Sequence, residues 1–115
     1  MNQPEKWDAL TRSWRKHIFL LGRIDLLLID EVHHIHEDRG AILEIVCVRM
    51  RTLSQAYKLR TPEKNDQTNL RIVALSATLP NVSDIGEWLN CSHENVHFFD
   101  DTFRPVPLDL HVLGL

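Results

Sequence analysis

The sequence holds little cysteine, little glycine and no long apolar run. Its two cysteines, Cys47 and Cys91, lie far apart, which excludes a CxxC metal clamp or a dense disulfide framework and fits a reducing compartment. A typical apolar run, Leu26-Leu27-Leu28-Ile29, is closed off by Asp25 and Asp30, well short of the ~20 residues of a membrane-spanning helix. No charged-then-apolar leader opens the chain, so secretion has no support and no membrane partner is expected. Internal repeats and low-complexity segments are also missing.

What is there is ordinary for a globular segment. The 115 residues are 43% hydrophobic and 25% charged, enough for one domain or part of one. Thirteen basic against sixteen acidic side chains give a net charge of −3. That charge is uneven: residues 1–23 carry five basic and two acidic side chains, a local +3, and residues 24–115 carry eight and fourteen, a local −6. Such a basic arm is either the footprint of a polyanionic partner or a solvated helix face.

Periodicity supplies the elements. Trp7, Leu10, Trp14 and Ile18 recur at steps of three and four and predict one amphipathic helix over 4–18, with Pro4 suited to its first position and Gly22 beyond its end. Ile24 to Ile29 reads as a strand buried on both faces. The acidic pair Asp30-Glu31 and a polar stretch, His33 to Arg39, follow it. After Gly40, a second helix puts Leu43, Val46, Met50 and Leu53 on one face, with Cys47 a small buried hydrophobe. Residues 58–69 read as a surface loop. Leu70 to Leu75 reads as a second strand, and Pro80 to Leu89 as a short helix with Asn81 as N-cap and Trp88 and Leu89 on its apolar face. Val96 to Phe99 is a candidate third strand, and Arg104-Pro105-Val106-Pro107 a stiff connector. Alternating helices and strands predict an α/β fold with a parallel sheet, in which ligands gather at the carboxyl ends of the strands.

Two chemical clusters fall at those ends. Adjacent carboxylates such as Asp30 and Glu31 can divide two tasks: one holds a hydrated Mg²⁺, the other orients or deprotonates the water that attacks a phosphoryl group. Ser76-Ala77-Thr78 offers short hydroxyls at the second strand's end, where a simple cap and turn is the plainer reading.

Together these residues resemble the DExH-box helicases of superfamily two. DEVH at 30–33 matches the Walker B box and SAT at 76–78 the coupling motif. PEKWD at 4–8, RGAILEIVCVRM at 39–50, ALSATLPN at 74–81, GEWL at 86–89 and FRPVPL at 103–108 resemble the superkiller-like branch. Within it the chain is most similar to the meiotic crossover DNA helicases, although the spliceosomal and Sec63-containing RNA helicases share much of the text. The resemblance implies a partial RecA-like parallel sheet with flanking helices. Residues 1–103 would be the C-terminal part of the first RecA-like domain, and 104–115 the connector and first strand towards the second.

It further implies ATP and Mg²⁺ as cofactors of the full-length parent, and nucleic acid, DNA ahead of RNA, together with the parent's other helicase domains as partners. A nuclear location follows from the same resemblance. Asp30 becomes the Mg²⁺-side carboxylate, acting through water, and Glu31 the catalytic acid/base. His33 links the nucleotide site to the moving parts, and Ser76, Ala77 and Thr78 couple hydrolysis to strand separation. Pro4, Glu5 and Lys6 lie against the nucleic-acid backbone. Gln3 stands where the family usually has threonine, which removes a hydroxyl contact to phosphate. Thr61-Pro62-Glu63-Lys64 echoes the PEKWD motif by coincidence.

No GxxxxGK[ST] occurs, so the loop that cradles nucleotide phosphates is not in this sequence. The expectation is a fragment, marginal on its own because of an open sheet edge, that does not hydrolyse ATP by itself. A non-catalytic RecA-like binding module is the alternative. A metal hydrolase built on His33, His34, His36, Glu37 and Asp38 has no HExxH-like spacing behind it. His17, His93, His97 and His111 are scattered, and Trp7 and Trp14 are either base-stacking platforms or, at their helical spacing, core.

Overall fold

A computed structural model describes residues 3–38, 40–61 and 70–114, with His36 described by its backbone alone. The chain forms two compact units, residues 1–79 and 80–115. Among the described residues no helix is long and apolar enough to cross a membrane.

In the first unit the single helix expected over 4–18 is two: α1 (Pro4–Arg12) and α2 (Trp14–Leu21). Ser13 separates them, because its hydroxyl donates back to the Ala9 and Leu10 carbonyls and its backbone leaves helical angles. Such local bonding is how serine competes with a helix. The predicted Trp7–Ile18 stripe is only half-buried, whereas Thr11 and Leu21 are fully buried. Thr11 tolerates burial because its hydroxyl donates to the Trp7 carbonyl at 2.8 Å.

Strand β1 (Leu26–Ile29) and strand β2 (Arg71–Ala74) pair in parallel, Leu26 opposite Arg71 and Ile29 opposite Ala74. The parallel α/β expectation holds for this two-stranded sheet. Its burial is one-sided, however: Leu27 and Ile29 are buried, but Leu26 and Leu28 are 49% and 55% exposed. The strand read as buried on both faces therefore has one face uncovered among the described residues. A parallel pair needs a crossover, supplied here by a 3₁₀ turn (Val32–His36) and helix α3 (Gly40–Arg60). The predicted face of α3 is correct: Leu43, Val46, Cys47, Met50 and Leu53 are all buried, with Leu21, Leu27, Ile29 and Val32 in the same core. The helix runs to Arg60, beyond the expected start of the loop at 58; residues 62–69, which include the PEK echo, lie outside the described residues.

Two contacts fix α3. At its start Gly40 lies so close to the 3₁₀ turn that a Cβ would fall 1.6 Å from the Ile35 carbonyl oxygen. Further along, Arg49 donates to the Asp8 carboxylate and, at 3.4 Å, to the Asp8 carbonyl and the Thr11 hydroxyl, so α1 is pinned to α3. Arg12 shares the same carboxylate, whose side chain is 15% exposed. The Arg49 hydrogen bond, with that of Arg12 and both positive charges, outweighs desolvation and holds the Asp8 carboxyl below its ordinary range. Cys47 is moved the other way, its thiol pushed up to about 11 by burial, which keeps it an unreactive hydrophobe.

In the second unit α4 (Val82–Trp88) begins after Asn81 as expected, but the Asn81 side chain makes no capping bond. Asn90, at φ 56°, closes the helix in the left-handed conformation that asparagine tolerates, and Cys91 N–H reaches the Gly86 carbonyl at 2.8 Å. The third strand expected at Val96 to Phe99 does not form. Val96 packs on α4 at Gly86, where a Cβ would meet its Cγ2 at 2.6 Å, and no neighbouring strand is described for the backbone to pair with. Residues 104–114 are likewise exposed and carry no strand.

Overpacking at Gly40 meets backbone rather than a movable side chain. We expect Gly40→Ala to lower unfolding free energy by about 1–3 kcal/mol, read from urea denaturation. Asp8 gives a pH signature. Because its folded pKa is lowered, its contribution is complete above the unfolded value of about 3.9 and is lost as pH falls through the lower folded value. The urea midpoint should therefore drop on acidification below roughly pH 4, and drop less steeply in Asp8→Asn.

Candidate functional site

Parallel pairing brings the ends of β1 and β2 to one level, and backbone bonds continue past both strands. Leu75 N–H donates to the Ile29 carbonyl at 2.8 Å, and Val32 N–H to the Leu75 carbonyl at 2.9 Å. Residues 30–33 and 76–78 thus leave the same sheet edge side by side. The two clusters singled out in the sequence are brought together here.

Asp30 is the first residue past β1, and its side chain folds back so that Oδ1 accepts from Glu31 N–H at 2.9 Å. The rest of that carboxylate is open to solvent. Glu31 has φ 54° and ψ 42°, a left-handed conformation costing roughly 1–2 kcal/mol for a residue with a Cβ. It persists because residues on both sides of Glu31 are tied down, and this kind of held strain recurs at functional positions. The Glu31 side chain is 68% exposed.

His33 turns towards the second strand end. Its Nδ1 accepts from the Ala77 backbone N–H at 3.0 Å. An amide N–H can only donate, so Nδ1 is unprotonated and the neutral ring carries its proton on Nε2. This bond is the direct tie between DEVH and SAT. Ser76 Oγ donates to the Ala77 carbonyl at 2.7 Å, and the Ser76, Ala77 and Thr78 side chains are exposed. Pro4, Glu5 and Lys6 form the opening turn of α1, an element that packs on α2 and α3. They therefore belong to the helical layer and not to the strand-end cluster.

The site residues fit a hydrated divalent cation: one exposed carboxylate at a strand end suits an ion that keeps its waters. Glu31, His33 and His34 bring possible ligand atoms within 4.8 Å of one another, a different set from the one weighed in the sequence. It makes a poor transition-metal site. His33 offers its free nitrogen with a proton on it, which leaves two of the three, Glu31 and the Nε2 of His34, whose Nδ1 bonds Glu37 at 2.7 Å. His36 lies outside the described side chains.

Sequence reasoning missed the Asp8–Arg49 pair and the left-handed Glu31. The pair bridges residues 41 apart, which no local periodicity encodes. A carboxylate inside PEKWD facing basic residues on a later helix was the only available hint.

A profile of the DEAD/DEAH box helicase family matches residues 1–85. The chain is 42% identical over 114 residues to the ATP-dependent DNA helicase MER3 of Saccharomyces cerevisiae, covering 96% of this chain and 8% of that protein. To the human U5 small nuclear ribonucleoprotein 200 kDa helicase it is 41% identical over 116 residues, 99% of this chain and 5% of that protein. The DExH-box ATP-dependent RNA helicase DExH12 of Arabidopsis thaliana is 36% identical over 115 residues, again 5% of its length. The chain thus spans under a tenth of the relatives it matches.

The His33–Ala77 bond is testable in isolation. In His33→Leu, which removes the acceptor, Ala77 amide hydrogen exchange should quicken about two- to tenfold, the equivalent of one ordinary hydrogen bond. The Leu75 amide, held by Ile29, should be unchanged.

Proposed function

The chain belongs to the DEAD/DEAH box helicase family, and we propose that it is the part of an ATP-driven, strand-separating motor that joins the hydrolytic carboxylates to the coupling motif. The observation that carries this reading is the His33–Ala77 hydrogen bond, which links the two strand ends directly.

Bound ATP–Mg²⁺ supplies the phosphoryl group to be cleaved; its phosphate cradle lies outside this sequence. Asp30 would hold the metal through its water shell from the β1 end. Glu31, held outward by its left-handed backbone, accepts the proton of the attacking water at its carboxylate. His33 keeps Nδ1 on the Ala77 amide, so a displacement at the β1 end is passed to Ser76-Ala77-Thr78. Pro4, Glu5 and Lys6 meet the nucleic-acid backbone, where an exposed lysine at a helix start suits phosphate.

The nucleic acid in this reading is DNA and the setting the nucleus, in the manner of the meiotic crossover helicases that the sequence resembles. MER3 at 42%, named as a DNA helicase, supports DNA. RNA is the second reading, supported by DExH12, named as an RNA helicase.

Glu31→Gln in the intact protein should remove nucleic-acid-stimulated ATP turnover while preserving nucleotide binding. The 115-residue chain alone should show no turnover above a protein-free blank. Turnover by the chain alone that disappears in Glu31→Gln would refute the need for a separate phosphate loop.

A further inference from the structure

The basic arm read from the sequence is not used up by Pro4-Glu5-Lys6. Where α1 gives way to α2, an open cleft of about 340 Å³ is lined by Arg12, Ser13, Trp14, Arg15 and Lys16. Three of its five lining residues are cationic, in a chain whose net charge is −3. The nearby carboxylate, Asp8, is already shared between Arg49 and Arg12, and the first turn of α2 has no acidic residue. Arg15 and Lys16 are exposed. The Arg15 guanidinium rests over the Trp14 ring, 5.5 Å from its centroid, a contact that favours one orientation of its donors.

We propose that this cleft is a second phosphate-binding point, which takes the phosphodiester backbone of the nucleic-acid strand through Arg15 and Lys16. The proposal rests on the helicase reading above, since that reading supplies the polyanion. Its chemistry is charge complementarity. A phosphate entering the cleft meets two cations with no carboxylate of α2's first turn to compete, and the release of counterions drives binding. Trp14 acts as the support for Arg15, whose guanidinium takes one face of the ring.

The test is fluorescence anisotropy of single-stranded DNA and RNA oligonucleotides with the purified protein across a salt series. The double variant Arg15→Gln/Lys16→Gln should weaken binding about tenfold. It should also flatten the slope of log K against log salt by about 1.4, at roughly 0.7 per phosphate contact on single strands. Both side chains are exposed, so the thermal melt should not move. The charge-preserving swap Arg15→Lys/Lys16→Arg should keep the original slope, and loss of slope in the swap would overturn the charge argument. If Lys6→Ala weakens binding but the double glutamine variant does not, the cleft is no phosphate site and the helicase reading stands. If the unchanged protein binds neither DNA nor RNA, the helicase reading falls and this proposal with it. Loss of binding to phosphatidylserine vesicles with oligonucleotide binding intact would assign the cleft to a lipid surface and overturn the proposal.

Discussion

The chemistry of the first unit depends on the in-register pairing of two four-residue strands. Parallel strands cannot be joined by a hairpin, so the chain leaves one strand end, crosses over and returns to start beside the first strand's beginning. Both strands then finish at the same edge. Everything chemical follows from that: Asp30 and Glu31 leave one end, Ser76-Ala77-Thr78 the other, and backbone bonds through Leu75 keep them adjacent. A slip of one residue would turn Ile29 outward and separate His33 from Ala77. The alternation of Leu27 and Ile29 inward with Leu26 and Leu28 outward resists that slip.

The strand-end cluster also shows how a short motif can hold two adjacent carboxylates apart. Asp30 bonds the next amide with one oxygen, which leaves the rest of the carboxylate facing water. Glu31 departs from the extended backbone into the left-handed region, so its side chain does not follow the strand. Two adjacent acids pointing alike would repel one another. The turn at Glu31 gives them different surroundings, and His33 is then carried round to face the second strand.

Much of this was legible from residues alone. The α3 stripe of Leu43, Val46, Met50 and Leu53 follows from helical spacing, and the two strands from short apolar runs ending in polar residues. What was not legible depended on partners far away in sequence. Ser13 could have continued a helix, and only its hydroxyl's bonds to Ala9 and Leu10 show that it does not. Thr11 lies outside the Trp7–Ile18 stripe, and its burial goes with the contact to Arg49 on α3. Val96 to Phe99 has the composition of a strand, but a strand needs a neighbour to pair with, and composition cannot supply one. Nor could Leu28 reveal that its face would be uncovered here, since the sequence pattern records what a position tolerates and not which segments are present to cover it.

The position of Asp8 bears on how α1 is joined to the strand ends. Lys6 and Asp8 are two residues apart, about 160° round a helix, so one motif presents a cation outward and a carboxylate inward. The inward half is fixed: Arg49 holds Asp8 by side chain and carbonyl together. Arg49 belongs to α3, whose first residue, Gly40, is jammed against Ile35 in the turn that carries His33. A helix of 21 residues is about 30 Å of stiff rod, and it is gripped at its start by the DEVH turn and near its middle by α1. The inward half of PEKWD is therefore joined to the turn that leaves β1 through packed backbone and one ion pair.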